Sequence, residues 1–530
     1  MWAALLSRWW ARTLFPAADP APPLDRMFWL GLLLVAAVAG LLLFPKLSYP
    51  LVEPDEGRYA EIGREMLRTG DWIVPRLNRQ AYYDKPPLLD WLVASSLWAF
   101  GTHTWAARLV PALAAFLTIL ATFWFSARLF GSRAGTLAGL ALSLMAGFVE
   151  CGRFLIIDGV LTLLVACALF AGYEAVRTGQ WRRGWWLTSA ICCALGVLAK
   201  GPVAVVLVAI PVAAAVWLDR GQARIRFRHW ALFGSLVFII NAPWYVAMTL
   251  REPAFAREFL LEHHLLRFLG PSFHEEPFWF YVPVVLVACL PWSLLLWPLT
   301  RFLFARSPGI EQWRPRALGW CLLWSGWCFL FFSLSRGKLP TYILPAAPAL
   351  AVLLGWYLDV ALFQTVPGLA FPLTRRRMPR LVLMFLGLAW LAGSILATHK
   401  GLVPARHQPW VIGEGILCLS VGLAILCTRR RIPVGGAWLL SALAAFGFLF
   451  EMSHRFVPAW AQARSPLAGV GRLFSDRQAA VVCEGLGEEW GSVPFTLDQD
   501  EAFLHVKGRT STELRTFLAS HPRGLLFIKP

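Results

Sequence analysis

Apolar runs of about 17–25 residues recur from residue 28 to residue 451, separated by short polar stretches rich in arginine. Runs of that length cross a bilayer core as helices. The pattern predicts thirteen membrane helices, at 28–44, 105–130, 134–150, 154–176, 184–200, 202–218, 230–250, 278–299, 316–334, 341–361, 380–397, 409–428 and 434–451. Two longer polar intervals interrupt the series, at 45–104 and 251–277. Inside the first, "DEGRYAEIGREML" (55–67) has apolar positions at helical spacing with charge between them. That spacing predicts an amphipathic helix lying along the membrane surface, with Asp55 at its start.

After residue 451 the pattern changes. "AAVVCEG" and "LLFIK" have the form of short buried strands. "TSTELRTFLASH" has the form of a helix, with Thr510 as N-cap and Glu513 three residues on. The fold class is therefore a multi-spanning α-helical membrane protein of about thirteen helices, residues 1–451. A small outer α/β domain, residues 452–530, follows as a structural cap.

Composition agrees with a chain built for lipid. It is 58% hydrophobic and 15% charged, against about 45–50% and about 25% in soluble domains, and its mean hydropathy is +0.58. The 28 tryptophans suit rings collected at the membrane interfaces. The net charge of +18 calls for no nucleic acid. Its arginines cluster in "VRTGQWRRGW", "DRGQARIRFRHW", "TRFLFARSPGIEQWRPR", "LTRRRMPR" and Arg429–Arg431. With the N-terminus in the cytoplasm, all five loops fall inside, as the positive-inside rule asks. Residues 45–104, 251–277 and 452–530 then share the outer face. Arg8, Arg12 and Arg26 flank a first span that lies far in and precedes no small-residue cleavage site, so it is expected to be retained. The ten cysteines make no C-x-x-C pair, and Cys167, Cys192, Cys193, Cys321, Cys328 and Cys418 fall in apolar spans as small core residues.

Several charges sit where lipid makes them costly. Asp55 and Glu56 follow the first span; the plain alternative is a solvated helix end. Lys85 in "YYDKPPLLDW" precedes two prolines that fix its backbone, and suits either a lipid phosphate or simple snorkelling. Asp158 in "RFLIIDGVLTLL" is an ionisable group near the start of a span, with Arg153 five residues before it as a possible partner. Lys200 in "LAKGPVA" and Lys338 in "SRGKLPTYILP", beside Arg336 and Tyr342, fall at outer helix ends. Lys200 and Lys338 have no acid close in sequence, Lys85 has Asp84 beside it, and the three break the positive-inside rule together. An anionic ligand such as a phosphate-bearing lipid explains all three. In "EHHLLRF", Arg267 adds a further cation. His263, His264 and His274 lack the spacing of a closed zinc site, although His264 with Asp84 is a second possibility.

With these residues in view, the chain resembles the lipid-A aminoarabinose transferases, within the polyprenol-phosphate-sugar glycosyltransferases of GT-C fold that include protein O-mannosyltransferases. The similar segments are "PDEGRYAEIGREMLRTGDWIVP", "YYDKPPLLDWL", "LAKGPVA", "EHHLLRF", "EEPFWFYVP" and "SRGKLPTYILP", in family order over about 48–350. The resemblance implies an inverting transfer of sugar from a polyprenyl phosphate donor to an outer-face acceptor, most of all lipid A, in a multi-pass inner-membrane enzyme whose site faces the periplasm. Lys85, Arg58, Lys200, Arg267 and Lys338 are then expected to hold the leaving phosphate, with Tyr59, Tyr82 and Tyr342 as hydrogen-bond donors or neighbours. Asp55 is expected to act as base toward a hydroxyl acceptor, or to orient the sugar toward a phosphate acceptor, with Glu56 and Asp158 assisting. A structural zinc between the outer loops is implied, with Asp84 and His264 as its ligands. A protein or another surface glycan is the alternative acceptor. A lipid-linked-sugar transporter fits less well, because no internal repeat is present and the charges gather at one face.

Overall fold

The computed structural model describes residues 25–219, 221–259, 275–305, 308–364, 371, 373–399 and 433–465, together with Trp10, Asp19, parts of 412–423 and short elements at 481–484, 492–497, 503–505 and 525–528. Helix α1 (Arg26–Leu43) opens the bundle, its first turn capped by the Asp25 carboxylate, which accepts from the Phe28 N–H at 3.0 Å. The outer loop holds α2 (Asp55–Thr69), the hairpin strands β1 (Arg76–Leu77) and β2 (Gln80–Ala81), and α3 (Leu88–Phe100). The bundle resumes with α4 (Thr104–Phe130), α5 (Ser132–Ser143), α6 (Ala146–Arg153), α7 (Ile157–Val176), α8 (Arg183–Lys200), α9 (Val203–Leu218) and α10 (Phe227–Arg251). It continues through α11 (Tyr281–Ala288), α12 (Leu296–Phe304), α13 (Arg316–Leu334), α14 (Ala347–Phe363), α15 (Met378–His399) and α16 (Val434–Glu451). Helix α17 (Val457–Arg464) follows, then β3 (Val481–Glu484), α18 (Ser492–Leu497), β4 (Phe503–His505) and β5 (Leu525–Ile528). The last three strands form a parallel sheet in the order β4-β3-β5. Two of them lie where alternation and apolarity placed strands. The expected helix at 510–521 lies outside the described residues.

Among the described residues eight helices are long and apolar enough to cross a membrane, or ten if each of two bent pairs is one span, rather than the thirteen expected. The differences have local causes. The run at 134–150 is broken between α5 and α6 by a 62° bend, and the run at 278–299 by a 109° bend beside Pro291. Helix α8 carries a charge at each end, and α9 has 16 residues. The span expected at 409–428 falls largely outside the described residues.

Close helix contact relies on small residues, as it does in lipid. A Cβ on Gly355 of α14 would meet the Ala138 backbone of α5 at 2.6 Å, so the two helices touch main chain to main chain. Large apolar side chains such as Trp29, Phe238 and Leu250 point outward, where acyl chains solvate them. Charge is gathered at the two ends of the bundle. At one end the buried Glu174 carboxylate accepts from Arg128 at 3.1 Å, Arg177 at 3.0 Å and Arg182 at 3.3 Å, and Arg133 pairs with Asp359 at 3.2 Å. The other end carries the outer loops.

One expectation is corrected here. Helix α2 does not lie on a surface. Glu56, Gly57 and every residue from Tyr59 to Met66 are buried. The charges on its second face are neutralised internally: Glu61 and Arg64 form a two-point ion pair at 2.7 and 2.8 Å, each side chain about 2% exposed. Glu65 accepts from the Arg79 N–H at 3.1 Å, at the tip of the β1–β2 hairpin, where Asn78 and Arg79 both take positive φ. An apolar–polar helical period is equally satisfied by a membrane surface and by a protein layer that supplies countercharges. The hairpin and α3 are that layer.

Candidate functional site

The segment from Leu47 to Glu56 is tied down from below by one side chain. Arg108, fully buried near the start of α4, donates to both Glu56 carboxylate oxygens at 2.7 and 2.6 Å, to the carbonyls of Leu47 and Pro50 at 2.8 Å each, and to the Tyr49 carbonyl. Its guanidinium lies 3.6 Å from the Tyr49 ring centroid. Glu56 also accepts from the Val52 and Leu155 N–H groups, each at 2.8 Å. Glu56, expected beside Asp55 in the chemistry, is thus buried with a fully engaged carboxylate, and it holds the segment in place. Arg108 escaped the sequence reading because it sits in an apolar stretch with no acid near it; an arginine inside "TWAARLVPALAA" was the available signal.

Asp55 is the first residue of α2, with about half its side chain exposed, 3.3 Å from Arg58. Its negative charge suits a helix N-terminus. Arg58 in turn lies 5.9 Å from the Tyr82 ring centroid. The Tyr82 hydroxyl is buried and lacks a hydrogen-bond partner among the described residues. Tyr59 is buried in a cluster with Leu51, Ala60, Leu89, Val93, Ile157 and Ala199. Asp90 on α3 is 1% exposed, and burial raises its carboxyl well above the ordinary range. An acid in "PPLLDWLV" was its overlooked signal.

The second group joins α7, α8 and the turn before α14. Asp158 receives the Lys200 ammonium at 2.5 Å on one oxygen and the Thr341 hydroxyl at 2.9 Å on the other. The same ammonium lies 4.0 Å from the Tyr342 ring centroid. Two expectations are corrected. Lys200 is not a cation without an acid; Asp158, 42 residues away, is its partner. Arg153 does not pair with Asp158. It donates instead to the carbonyls of Leu42, Leu43, Pro45 and Ser453, between 2.7 and 3.0 Å, closing the open end of α1. Lys200→Met is expected to lower the thermal midpoint, because it strands a carboxylate among apolar helices. Lys200→Met with Asp158→Asn is expected to recover most of the loss, in unfolding scans of the purified protein.

Lys338 is 4% exposed and donates to the Glu276 carbonyl at 2.7 Å. Burial lowers its pKa, and Glu276 and Glu275 offset part of that. It lines a cavity of about 330 Å³ with Arg336, Ser333 and Glu275. Lys85 and Asp84 lie in the loop between β2 and α3, where the Lys85 ammonium donates to the Asp84 carbonyl at 3.0 Å. Further contacts join the first outer region to the end of α10 and the start of the second outer region: Tyr83 donates to Glu252 at 2.9 Å, Arg251 pairs with Asp71 at 2.8 Å, and Trp244 donates to the Ile73 carbonyl at 2.9 Å. Arg267, His263, His264 and His274 lie outside the described residues. Among the described residues no group of three or more His, Cys, Asp or Glu side chains is arranged to hold a metal ion; the expected zinc pairing of Asp84 with His264 falls partly outside them.

The structure therefore brings together Asp55, Arg58 and Tyr82 on one side, and Asp158, Lys200, Thr341 and Tyr342 on the other. Both groups stand at one end of the bundle, and the Tyr59 cluster, which includes Ile157 and Ala199, lies against both. Comparison with known proteins follows from this geometry. The family model for dolichyl-phosphate-mannose-protein mannosyltransferases matches residues 84–246. An undecaprenyl phosphate-alpha-4-amino-4-deoxy-L-arabinose arabinosyl transferase from Edwardsiella ictaluri is 32% identical over 488 residues, covering 86% of this chain and 82% of the relative. The protein of the same description from Serratia proteamaculans is 33% identical over 450 residues, covering 76% and 78%. Among solved structures, ArnT from Cupriavidus metallidurans bound to undecaprenyl phosphate superposes with a TM-score of 0.72 at 25% identity, over 94% of this chain and 89% of that one.

Proposed function

This chain belongs to the family of undecaprenyl phosphate-aminoarabinose arabinosyl transferases, and from that premise we propose how its own residues serve the reaction. It is an integral membrane glycosyltransferase of GT-C fold that takes its sugar from an undecaprenyl phosphate carrier. The acceptor is a phosphate oxygen of lipid A. That oxygen attacks the anomeric carbon, the bond from that carbon to the carrier phosphate breaks, and the carrier phosphate leaves with the electron pair. The configuration inverts. Because a phosphate acceptor is already anionic, no proton needs a base, and Asp55 orients the sugar through its amino group. With a hydroxyl acceptor the same carboxylate would take the proton.

The observation that carries this reading is the gathering of Asp55, Arg58, Tyr82, Asp158, Lys200 and Tyr342 at one end of an apolar bundle. Lys85, Arg58 and Lys338 supply fixed cations for the charge that develops on the leaving phosphate. Lys200 acts through Asp158 and Tyr342. The opposite end carries Arg128, Arg133, Arg177 and Arg182. By the positive-inside rule that end is cytoplasmic, which supports a site on the periplasmic face of the inner membrane.

Purified protein is incubated with undecaprenyl phosphate-linked aminoarabinose and either lipid A or an acceptor peptide, and products are followed by mass spectrometry. Sugar on lipid A phosphate supports the reading. Sugar only on peptide replaces the acceptor, and no transfer to either removes the reading. Lys85→Ala is expected to weaken undecaprenyl phosphate binding by about tenfold or more, the weight of one charge-assisted phosphate contact. Titration with the labelled lipid checks it, and unchanged affinity would take Lys85 out of the phosphate site.

A further inference from the structure

The segment that delivers Asp55 is gripped from above as well as from below. Glu53, two residues before Asp55, accepts from the Ser492 N–H at 2.7 Å through one carboxylate oxygen. Its other oxygen is buried and has no hydrogen-bond partner among the described residues. The carboxylate lies over Gly57, where a Cβ would meet its two oxygens at 2.4 and 2.5 Å and the Ser492 nitrogen at 2.6 Å. Only a glycine leaves that space. Three residues beyond Ser492, Phe495 is 2% exposed and fills the cluster of Leu51, Tyr59, Ala60, Leu89 and Val93. One contact is polar and the other apolar, and in sequence they bracket Asp55.

We propose that α18 is a latch on the active site, and that Glu53 and Phe495 are positioning residues that aim Asp55. The inference rests on the role given to Asp55 above. It turns the C-terminal segment from a cap into a part of the catalytic apparatus, supplied from 439 residues along the chain. The physical basis is simple. Asp55 has half its side chain in solvent and sits on the first residue of a helix, where direction depends on the turn before it. That turn is held by Arg108 on one side and by α18 on the other.

The latch has a pH signature. Burial pushes the Glu53 carboxyl up to about 7; the Ser492 hydroxyl, the Ser492 N–H and the Arg58 charge offset part of the rise, and Glu56 adds to it. The groups facing Glu53 are Arg58 and Glu56 of α2, Glu56 being neutralised by Arg108 of α4. From α18 the hydroxyl and the backbone N–H of Ser492 face it. A carboxyl whose pKa is raised by docking favours docking fully below its ordinary range, and loses that contribution as pH rises through about 7. Ionised Glu53 also competes with Asp55 for Arg58.

The test uses full-length protein in nanodiscs, with sugar transfer, undecaprenyl phosphate binding and hydrogen exchange measured side by side. Phe495→Ala is expected to lower kcat by about tenfold, the scale of a modest misalignment, with the donor KM within about twofold of wild type. Exchange of residues 51–60 should rise while that of α7 and α14 does not. Wild-type kcat is expected to fall as pH rises through about 7, and Glu53→Gln, which keeps the acceptor oxygen for Ser492, is expected to abolish that fall. Wild-type kcat in Phe495→Ala overturns the latch, whether exchange rises or not, and so does a Glu53→Gln pH profile that matches wild type. If wild type itself transfers no sugar, the functional reading fails, while unchanged exchange in Phe495→Ala would independently refute the docking.

Discussion

Asp55→Asn is expected to reduce sugar transfer by about 10²-fold, the scale of a reactant misplaced by about 1 Å, while the protein folds and binds undecaprenyl phosphate as before. The separation follows from where Asp55 sits. Its pairing with Arg58 is 3.3 Å long and half in solvent, a class of contact that contributes about 0–1 kcal/mol. Removing the charge therefore leaves α2 standing, because that helix is secured by Glu56, by the Glu61–Arg64 pair and by Glu65. The amide also keeps the side chain's size. What it loses is the negative charge that holds an amino group or takes a proton. Initial rates, a thermal scan and a lipid-binding titration on one preparation decide the matter. Activity within tenfold of wild type would remove Asp55 from the chemistry, and a collapsed thermal midpoint would make its role structural.

Arg108→Ala is expected to have the largest effect on stability, about 3–5 kcal/mol, as found when one partner of a buried pair is deleted. Glu56 would keep its charge with no counterion, and the Leu47, Tyr49 and Pro50 carbonyls would lose their donor. The arginine also stacks on Tyr49, so packing is lost with charge. The double variant Arg108→Met, Glu56→Leu removes both charges and fills the space, and should regain much of the loss. Denaturant titration of wild type, Arg108→Met, Glu56→Leu and the double variant, the four corners of a double-mutant cycle, measures the coupling. A coupling below about 0.5 kcal/mol would mean that the pair acts independently. Because this pair grips the segment before Asp55, activity in Arg108→Ala should fall even where the folded fraction is restored by lower temperature.

Much of the architecture was legible in one dimension. The first span, the outer loop, the order of the later helices and two of the three C-terminal strands stand close to where hydropathy and alternation placed them. Among the described residues, the arginine clusters stand at the end opposite Asp55, Asp158 and Lys338. Misreadings came where an apolar–polar period has two solutions. Helix α2 has a charged face in sequence and a buried one in space, since Glu61 and Arg64 answer each other within the helix and Glu65 answers the hairpin. The long apolar runs at 134–150 and 278–299 have the hydropathy of straight spans, because a hydropathy window averages over a bend.

Hydropathy and local strings alone locate most of the apolar spans, the end of the bundle that collects the arginines and the residues that carry the family's motifs. Each of these depends on a transfer free energy summed over a score of neighbouring residues, or on a local string. The tertiary structure decided which charge answers which. Lys200 meets Asp158 across 42 positions, Glu56 meets Arg108 across 52, and Glu53 meets Ser492 across 439. The energy of a buried charge depends on what lies within a few ångströms of it. In a bundle of folded-back helices those neighbours come from anywhere in the chain, so no local pattern records them.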